Sequence, residues 1–255
     1  MKQIFRVSLI ALTAASSLCS VSQAQESASA SRISIEAFSP EFKAKGYSFP
    51  TSAWFITLHE SVEGPVHVEM QIPAGYVEQH VGSGIRREMR LANPYVGISW
   101  TSPENPASLG LGMRFPVLPN DAYTRVMRVA DIHRFEAFVP DLWDFSLHSA
   151  VGDETTPLRA RMRAHLWVPL HGSVEVVADY AFGVQRLAGI VLVRLEVLGR
   201  AGITGDNLIF GERSMHQAGL TLQVITPGVR PSVVLRAPIG GKEVVDWVVG
   251  AGISF

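Results

Sequence analysis

Cysteine is nearly absent. The 255 residues contain one, Cys19, and it lies in a segment that reads as a removable leader. The mature chain therefore has no thiol for a disulfide or for a thiolate metal site. Charge is scarce as well, at 18% of residues against 47% hydrophobic. Yet beyond the leader no run of about eighteen apolar residues occurs, so no helix of the mature chain is long and apolar enough to cross a membrane. The eight histidines show neither H-x-x-x-H nor H-E-x-x-H spacing, which argues against a helical metal site. No G-x-S-x-G elbow is present. His148 and Ser149 are adjacent on an extended segment and face opposite ways, so His148 is badly placed to serve Ser149 as a base. The expectation is no enzyme, no metal and no cofactor.

The leader is defined by residue order. Lys2 and Arg6 form a basic head, and residues 7–15 are apolar apart from Ser8 and Thr13. Ser22-Gln23-Ala24 supplies a small-x-small cleavage pattern. Leu18 before Cys19 disfavours lipoprotein-type processing. The division is a signal peptide at 1–24 and a single β-domain at 25–255. Removing the two basic leader residues leaves 20 basic against 23 acidic residues, a net charge of −3. That excludes the basic surface nucleic acid requires.

What the mature chain has in abundance is alternation. In the last eleven residues Val245, Trp247, Val249, Ala251, Ile253 and Phe255 share one face. Asp246, Val248, Gly250, Gly252 and Ser254 share the other. That is the period of a strand with one apolar side. The same pattern recurs through Ile33-Ile35, Trp54-Ile56-Leu58, Val66-Val68-Met70-Ile72, Val96-Ile98-Trp100 and Leu109-Leu111-Met113-Phe115-Val117. It continues in Trp143-Phe145-Leu147, Ala160-Met162-Ala164-Leu166, Val174-Val176-Ala178-Tyr180-Phe182 and Val191-Val193-Leu195-Val197, then in Ala218-Leu220-Leu222-Val224 and Val233-Leu235-Ala237. Most segments approach the 9–11 residues of a transmembrane strand, longer than the usual strand of a soluble sandwich. An even, twelve-stranded antiparallel up-and-down transmembrane barrel is expected, ten or fourteen strands being the alternatives.

The connections fit that scheme. One end has short turns at 62–65, 103–107, 152–157, 185–188 and 226–229. The other end has the long connections 74–91, 118–141 and 199–213. Short periplasmic turns with longer external loops are the barrel rule. Connection 118–141 is long for a plain loop. A helix capped at Asn120 or Asp121 and stopped by Pro140, or an extended strand pair, would each fit.

The polar faces point to the lumen. They carry Arg114, Arg159, Arg161, Arg163, Arg194 and Arg236 against Glu69, Glu175, Asp179 and Glu196, with His67 and His165. Glu36, Asp144 and His148 belong to the same face. Arg159, Arg161 and Arg163 share one strand, with Glu175 and Asp179 on the next as expected cross-strand partners. Such a lining suits a channel for anionic or hydrogen-bond-accepting solutes. It equally suits a filled, salt-bridged interior, with an inserted loop or the N-terminal residues as plug. Trp167 shares the arginines' parity and either caps the lumen or marks a bulge. The other tryptophans suit interfacial girdles.

Two resemblances add to this reading. The final strand, with Trp247, Gly250, Ile253 and terminal Phe255, resembles the C-terminal signal that the outer-membrane barrel insertion machinery recognises. Asn93-Pro94-Tyr95-Val96-Gly97, the stretch from Arg134 to Asp141, that from Arg213 to Leu220, and Val229-Arg230-Pro231 leading to Val244-Val245-Asp246 resemble small proteobacterial outer-membrane barrels. These are related to the meta-pathway phenol-degradation transporter-like proteins and, more distantly, to the fatty-acid transporters. The resemblance implies a barrel in the outer membrane, in contact with its lipid, and uptake of small apolar or aromatic compounds. It assigns no residue roles. The functional expectation is a channel or passive transporter for small solutes. The alternatives are a non-conducting barrel acting through its external loops and a soluble periplasmic β-protein.

Overall fold

The computed structural model describes residues 31–42, 51–81, 84–102, 104, 106–120, 127–152, 156–204, 214–240 and 245–255. The leader, its cleavage site, Asp121 and most of connection 199–213 lie outside the described residues. The strands are β1 (Arg32–Phe42), β2 (Thr51–Glu63), β3 (Val66–Val81), β4 (Gly84–Leu91), β5 (Tyr95–Thr101), β6 (Ala107–Arg114) and β7 (Leu142–Val151). They continue as β8 (Leu158–Pro169), β9 (Glu175–Ala188), β10 (Val191–Gly202), β11 (Ser214–Val224), β12 (Arg230–Pro238) and β13 (Val245–Ser254).

All pairings are antiparallel. The ring closes where β13 pairs with β1, placing Ile253 opposite Ile35 and Gly250 opposite Phe38, while the Phe255 amide donates to Ile33 O at 2.9 Å. Around it stand twelve strands, those at which the alternation pointed. Closure leaves no edge in the ring, and every spanning strand finds its backbone partners inside the sheet.

Strand β4 is additional. Connection 74–91, expected as an external loop, is instead an extension of the wall. β3 continues to Val81, and its outer part pairs with β4 from Ala74↔Leu91 to Val81↔Gly84. Below that, β3 pairs with β5, Gln71 facing Tyr95. Two residues on β3 thus oppose three, Ala92-Asn93-Pro94, on the returning chain, which makes a one-residue bulge. Pro94 lacks the N–H a regular ladder needs. β4 and β5 are one descending strand broken at this bulge.

Two other boundaries move. Residues 185–188 belong to β9, and the turn to β10 is only Gly189-Ile190, with Gly189 at φ +62° and Ala188 opposite Val191. Two-residue hairpins favour a glycine at positive φ. Val245 is fully buried rather than outward, because a register irregularity opposite Glu41 and Phe42 offsets the alternation there.

The outer face is a belt of exposed aliphatic side chains, among them Ile98, Leu111, Leu147, Met162, Leu195 and Leu235. So large a contiguous apolar surface is incompatible with water and is the lipid-facing band of a membrane barrel. At the outer rim Trp143 packs on Phe115 and Phe145, with ring centroids 5.7 and 6.4 Å apart. Trp100 lies exposed at the opposite rim.

Leu195 faces outward between Val184 and Leu220. Leu195→Arg is expected to cost about 2–4 kcal/mol near the bilayer midplane, while Gln223→Arg on the inner face is tolerated. The folded fraction in lipid vesicles, read from heat-modifiable gel mobility, checks both. Equal yields for the two variants would overturn the facing assignment.

Candidate functional site

The lumen is where wall and connection meet. Beyond β6, at the outer rim, the described residues 127–141 lie inside the ring. They carry two short 3-10 helices, Arg128–Ala130 and Ile132–Phe138, the latter capped by Asp131, whose carboxylate accepts from the His133 amide at 3.0 Å. Neither a longer helix through this region nor an extended strand pair describes residues 127–141. They form a plug. Met127, Ala130, Ala137 and Phe138 pack with Phe38, Phe55, Val77, Val234 and Val248 on one side of the ring. Phe135 packs with Trp167, Leu142, Val177 and Met215 on another, and Ile132 with Ala181 and Leu198 on a third. Trp167 lies inward with continuous register on both sides, so it caps the lumen and marks no bulge. Its ring stacks on Phe135 at 6.0 Å and 10°.

Glu136 stands at the centre of the plug, with no exposed surface. Its carboxylate accepts from Arg114 Nε at 3.2 Å and Arg200 Nη2 at 2.7 Å, and Arg163 Nη1 lies 4.0 Å away. These guanidiniums come from β6, β10 and β8. Arg114 also donates to Gln71 Oε1 at 2.7 Å and to Asn93 O at 3.1 Å. Arg200 donates through Nε to Asp179 at 2.6 Å and lies over the rings of Phe135 and Trp167. His165 has Asp144 at one ring nitrogen (2.9 Å) and Asp179 at the other (3.1 Å), the pattern of a doubly protonated ring. A second knot lies nearby. Asp131 accepts from Arg134 at 2.7 Å and from Arg236 at 2.8 Å, while Arg134 reaches Glu36 at 2.5 Å and lies 3.7 Å over the Phe55 ring.

Glu136 and Asp131 belong to the inserted connection rather than to a spanning strand. Burial alone would push the Glu136 carboxyl up, but the charges of Arg200, His165 and Arg114 outweigh it and hold it down, at about 2. Burial likewise opposes ionisation of Asp131, and Arg236 and Arg134 overcome it, so its pKa falls below the usual range. Donor atoms of Glu136, Asp144 and His165 lie within 4.8 Å of one another. The group does not fit a metal, since the Glu136 oxygens already bind two guanidiniums and a cation would face Arg114, Arg163 and Arg200.

Asn93 ties the plug to the wall. Its Nδ2 donates to Glu136 O at 3.2 Å and Val139 O at 2.6 Å, and its Oδ1 accepts from the amides of Val117 and Leu118, both at 3.0 Å. Its own amide donates to Ala137 O at 2.9 Å. The bulge at 92–94 turns this residue into the plug, and Asn93 is completely buried. Both limbs of the connection are held by one side chain.

The periplasmic half is different. Arg159, Arg161 and Arg194 line a cavity with Ala181, Gly183 and Glu196. Arg161 lies 3.8 Å from Glu196, with 45% of its side chain exposed. Arg194 donates to Gln185 at 2.9 Å. Across the ring His67 bonds Ser61 at 2.9 Å, and Glu69 lies 3.9 Å from His59. Tyr95 lies inward over Gly97 and Gly112, where any side chain would collide with its ring.

The residues singled out from sequence are distributed as follows. Arg114, Arg163, His165 and Asp179 come together around Glu136, and Arg236 meets Asp131. Arg159, Arg161, Arg194 and Glu196 form the second group. Of the expected cross-strand partners of Arg159, Arg161 and Arg163, Asp179 does lie opposite Arg163, whereas Arg161 faces Ala181 and Arg159 faces Gly183. Asp179 turns to His165 and Arg200, Arg161 to Glu196, and Glu175 sits at the outer rim opposite Trp167. Arg200, Glu136, Asp131 and Asn93 carry the site without having been assigned roles. Continuing the parity of Arg194 and Glu196 by two more steps would have reached Arg200.

No protein-family model and no curated protein sequence matches this chain. Solved structures do. The COG4313 outer membrane channel from Pseudomonas putida F1 superimposes with a TM-score of 0.58 at 10% identity, covering 91% of this chain and 96% of that one. The NanC porin gives 0.54 at 10%, covering 89% and 99%. The translocator domain of the autotransporter NalP from Neisseria meningitidis gives 0.54 at 12%, covering 98% and 96%. This chain has the fold of outer-membrane β-barrels. The likeness is one of fold, and it spans a channel, a porin and a translocator.

Asn93→Ala removes the clamp and strands buried amides and carbonyls of the plug, with an expected loss of at least about 2–3 kcal/mol. Urea unfolding of the refolded barrel measures it, and an unchanged midpoint would refute the clamp. The depressed Glu136 pKa gives a signed pH dependence. Its contribution is complete above the ordinary carboxyl value of 4.5 and is lost as pH falls towards about 2. The near-ultraviolet circular dichroism of the Phe135–Trp167 stack should hold to mildly acidic pH and fade below it. Loss already at pH 6 would contradict the pairing.

Proposed function

We propose that the barrel is a channel or passive transporter for small solutes, with a preference for anions. The observation that carries this reading is the periplasmic-side cavity, where Arg159, Arg161 and Arg194 face one carboxylate, Glu196. A lumen segment lined by several guanidinium groups between low-dielectric walls raises the local concentration of anions and repels cations. The fold shared with a channel and a porin is compatible with this role. The meta-pathway resemblance extends the candidate solutes to small apolar or aromatic compounds. The final strand, with Trp247, Gly250, Ile253 and Phe255, is the segment we assign to recognition by the insertion machinery.

A second reading is a barrel that does not conduct and acts through its external surface. The plug favours it, because residues 127–141 pack against wall side chains from several parts of the ring.

Planar-bilayer recording of the mature protein separates the two. Discrete conductance steps with anion preference, reduced or reversed by Arg161→Glu, are the expected result. A protein that inserts into lipid and stays silent would reject the channel in favour of the second reading.

A further inference from the structure

The arrangement around Glu136 has the composition of a receptor for a carboxylate. Arg114, Arg163 and Arg200 converge on one planar anion from three different strands. Guanidinium forks match carboxylate geometry, and such pairs are strong when dehydrated. The anion they hold is supplied by a connection, not by the barrel wall. The receptor also has an unmet donor. Arg200 is fully buried, and its Nη1 has no hydrogen-bond partner. A wall built solely to anchor Glu136 would have no use for that N–H.

We propose that Arg114, Arg163 and Arg200 form a carboxylate-binding site in the lumen, that Glu136 is its tethered resident, and that a small organic carboxylate displaces Glu136 and loosens the plug. The proposal rests on the channel reading only for the solute's passage, since the exchange itself needs no current. One monoanion replaces another, so the charge of the site is unchanged. Asp144 lies opposite Arg114 in register and Asp179 accepts from Arg200, and a phosphate dianion would add a charge facing both. The site therefore selects carboxylate over phosphate. A tethered group competes at an effective concentration on the order of millimolar or above, which sets the range in which a free carboxylate acts. Asn93, through the Glu136 and Val139 carbonyls, and the Asp131–Arg236 pair hold the plug without using the Glu136 carboxylate. Weakening Asn93 must then favour displacement, by linkage.

The test uses the full mature protein refolded in lipid vesicles, digested with trypsin while sodium propionate replaces sodium chloride at constant ionic strength. Cleavage after Arg128 and Arg134, located by mass spectrometry, reports plug release. The expected result is a saturable rise in that cleavage, roughly tenfold for a shift of one decade in the docking equilibrium, with inorganic phosphate no better than chloride. Asn93→Ala should move the curve to lower propionate. Glu136→Gln, checked for folding by heat-modifiable mobility, should be cleaved rapidly without propionate and respond no further. Equal effects of propionate and chloride on the wild type, or an undiminished propionate response in Glu136→Gln, would overturn the proposal. The wild-type titration decides even if Glu136→Gln fails to fold. Propionate-dependent release without bilayer current would sink the channel reading and leave this site standing. Anion-selective current with no propionate effect on cleavage would do the reverse.

Discussion

A carboxylate with no contact with water, held among arginines from three strands, is the constraint on which the outer half of this barrel depends. A ring of twelve strands encloses more space than inward side chains alone must fill. Here the outer half is filled by chain 127–141, which brings backbone groups and charges into a region with little water. A buried carboxylate is tolerated only when paired and hydrogen-bonded. Glu136 meets that condition through Arg114 and Arg200, and Asp131 through Arg134 and Arg236. The arginines need the carboxylates just as much. Without the plug, Arg200 would keep only Asp179 as its carboxylate and Arg114 would lose the Glu136 carboxylate. Plug and wall are therefore one electrostatic unit, although 115–141 is a connection in the chain.

The wall itself was legible from sequence because its signal is local. Lipid demands apolar residues at every second position, and Leu109-Leu111 or Val193-Leu195 meet that demand however the rest folds. The signal failed where the demand ceases. β4 lies past the bulge, and there Arg87 shares a face with Ile85 and Met89, so the alternation reads as a loop. β10 likewise runs past its last lipid-facing valine, which hid Arg200. Two positions shifted parity for a different reason. Val245 and the chain at Asn93 sit beside bulges, and a single extra residue reverses the facing on one side of it.

The plug was not legible in the same way, because its contacts are set by closure of the ring. From the sequence, Arg159, Arg161 and Arg163 share a face and the neighbouring strand offers Glu175 and Asp179. That inference holds for Arg163, which Asp179 faces in register, but it otherwise treats a barrel interior as a flat sheet. In a closed ring long side chains reach across the lumen, so Arg161 meets Glu196 two strands away and Arg163 meets Glu136 on the plug. The stretches 93–97 and 134–141 stood out in the sequence only as resemblances of architecture. In the structure they are the two halves of one device, Asn93 gripping the backbone of Glu136 and Val139.

The lumen is thus divided by charge as well as by packing. On the outer side, guanidiniums and carboxylates are closely matched. On the periplasmic side, Arg159, Arg161 and Arg194 gather with Glu196 around a small cavity. The plug is also held in two physically different ways. The Asn93 clamp is made of neutral hydrogen bonds, to which a dissolved ion has little access. The middle of the plug is held by ion pairs, buried enough that mobile salt screens them weakly. Simple ionic strength should therefore leave both intact. What can compete for the middle is an anion that fits between Arg114 and Arg200 as the Glu136 carboxylate does. That makes shape and charge together, rather than charge alone, the property by which a solute could address this barrel.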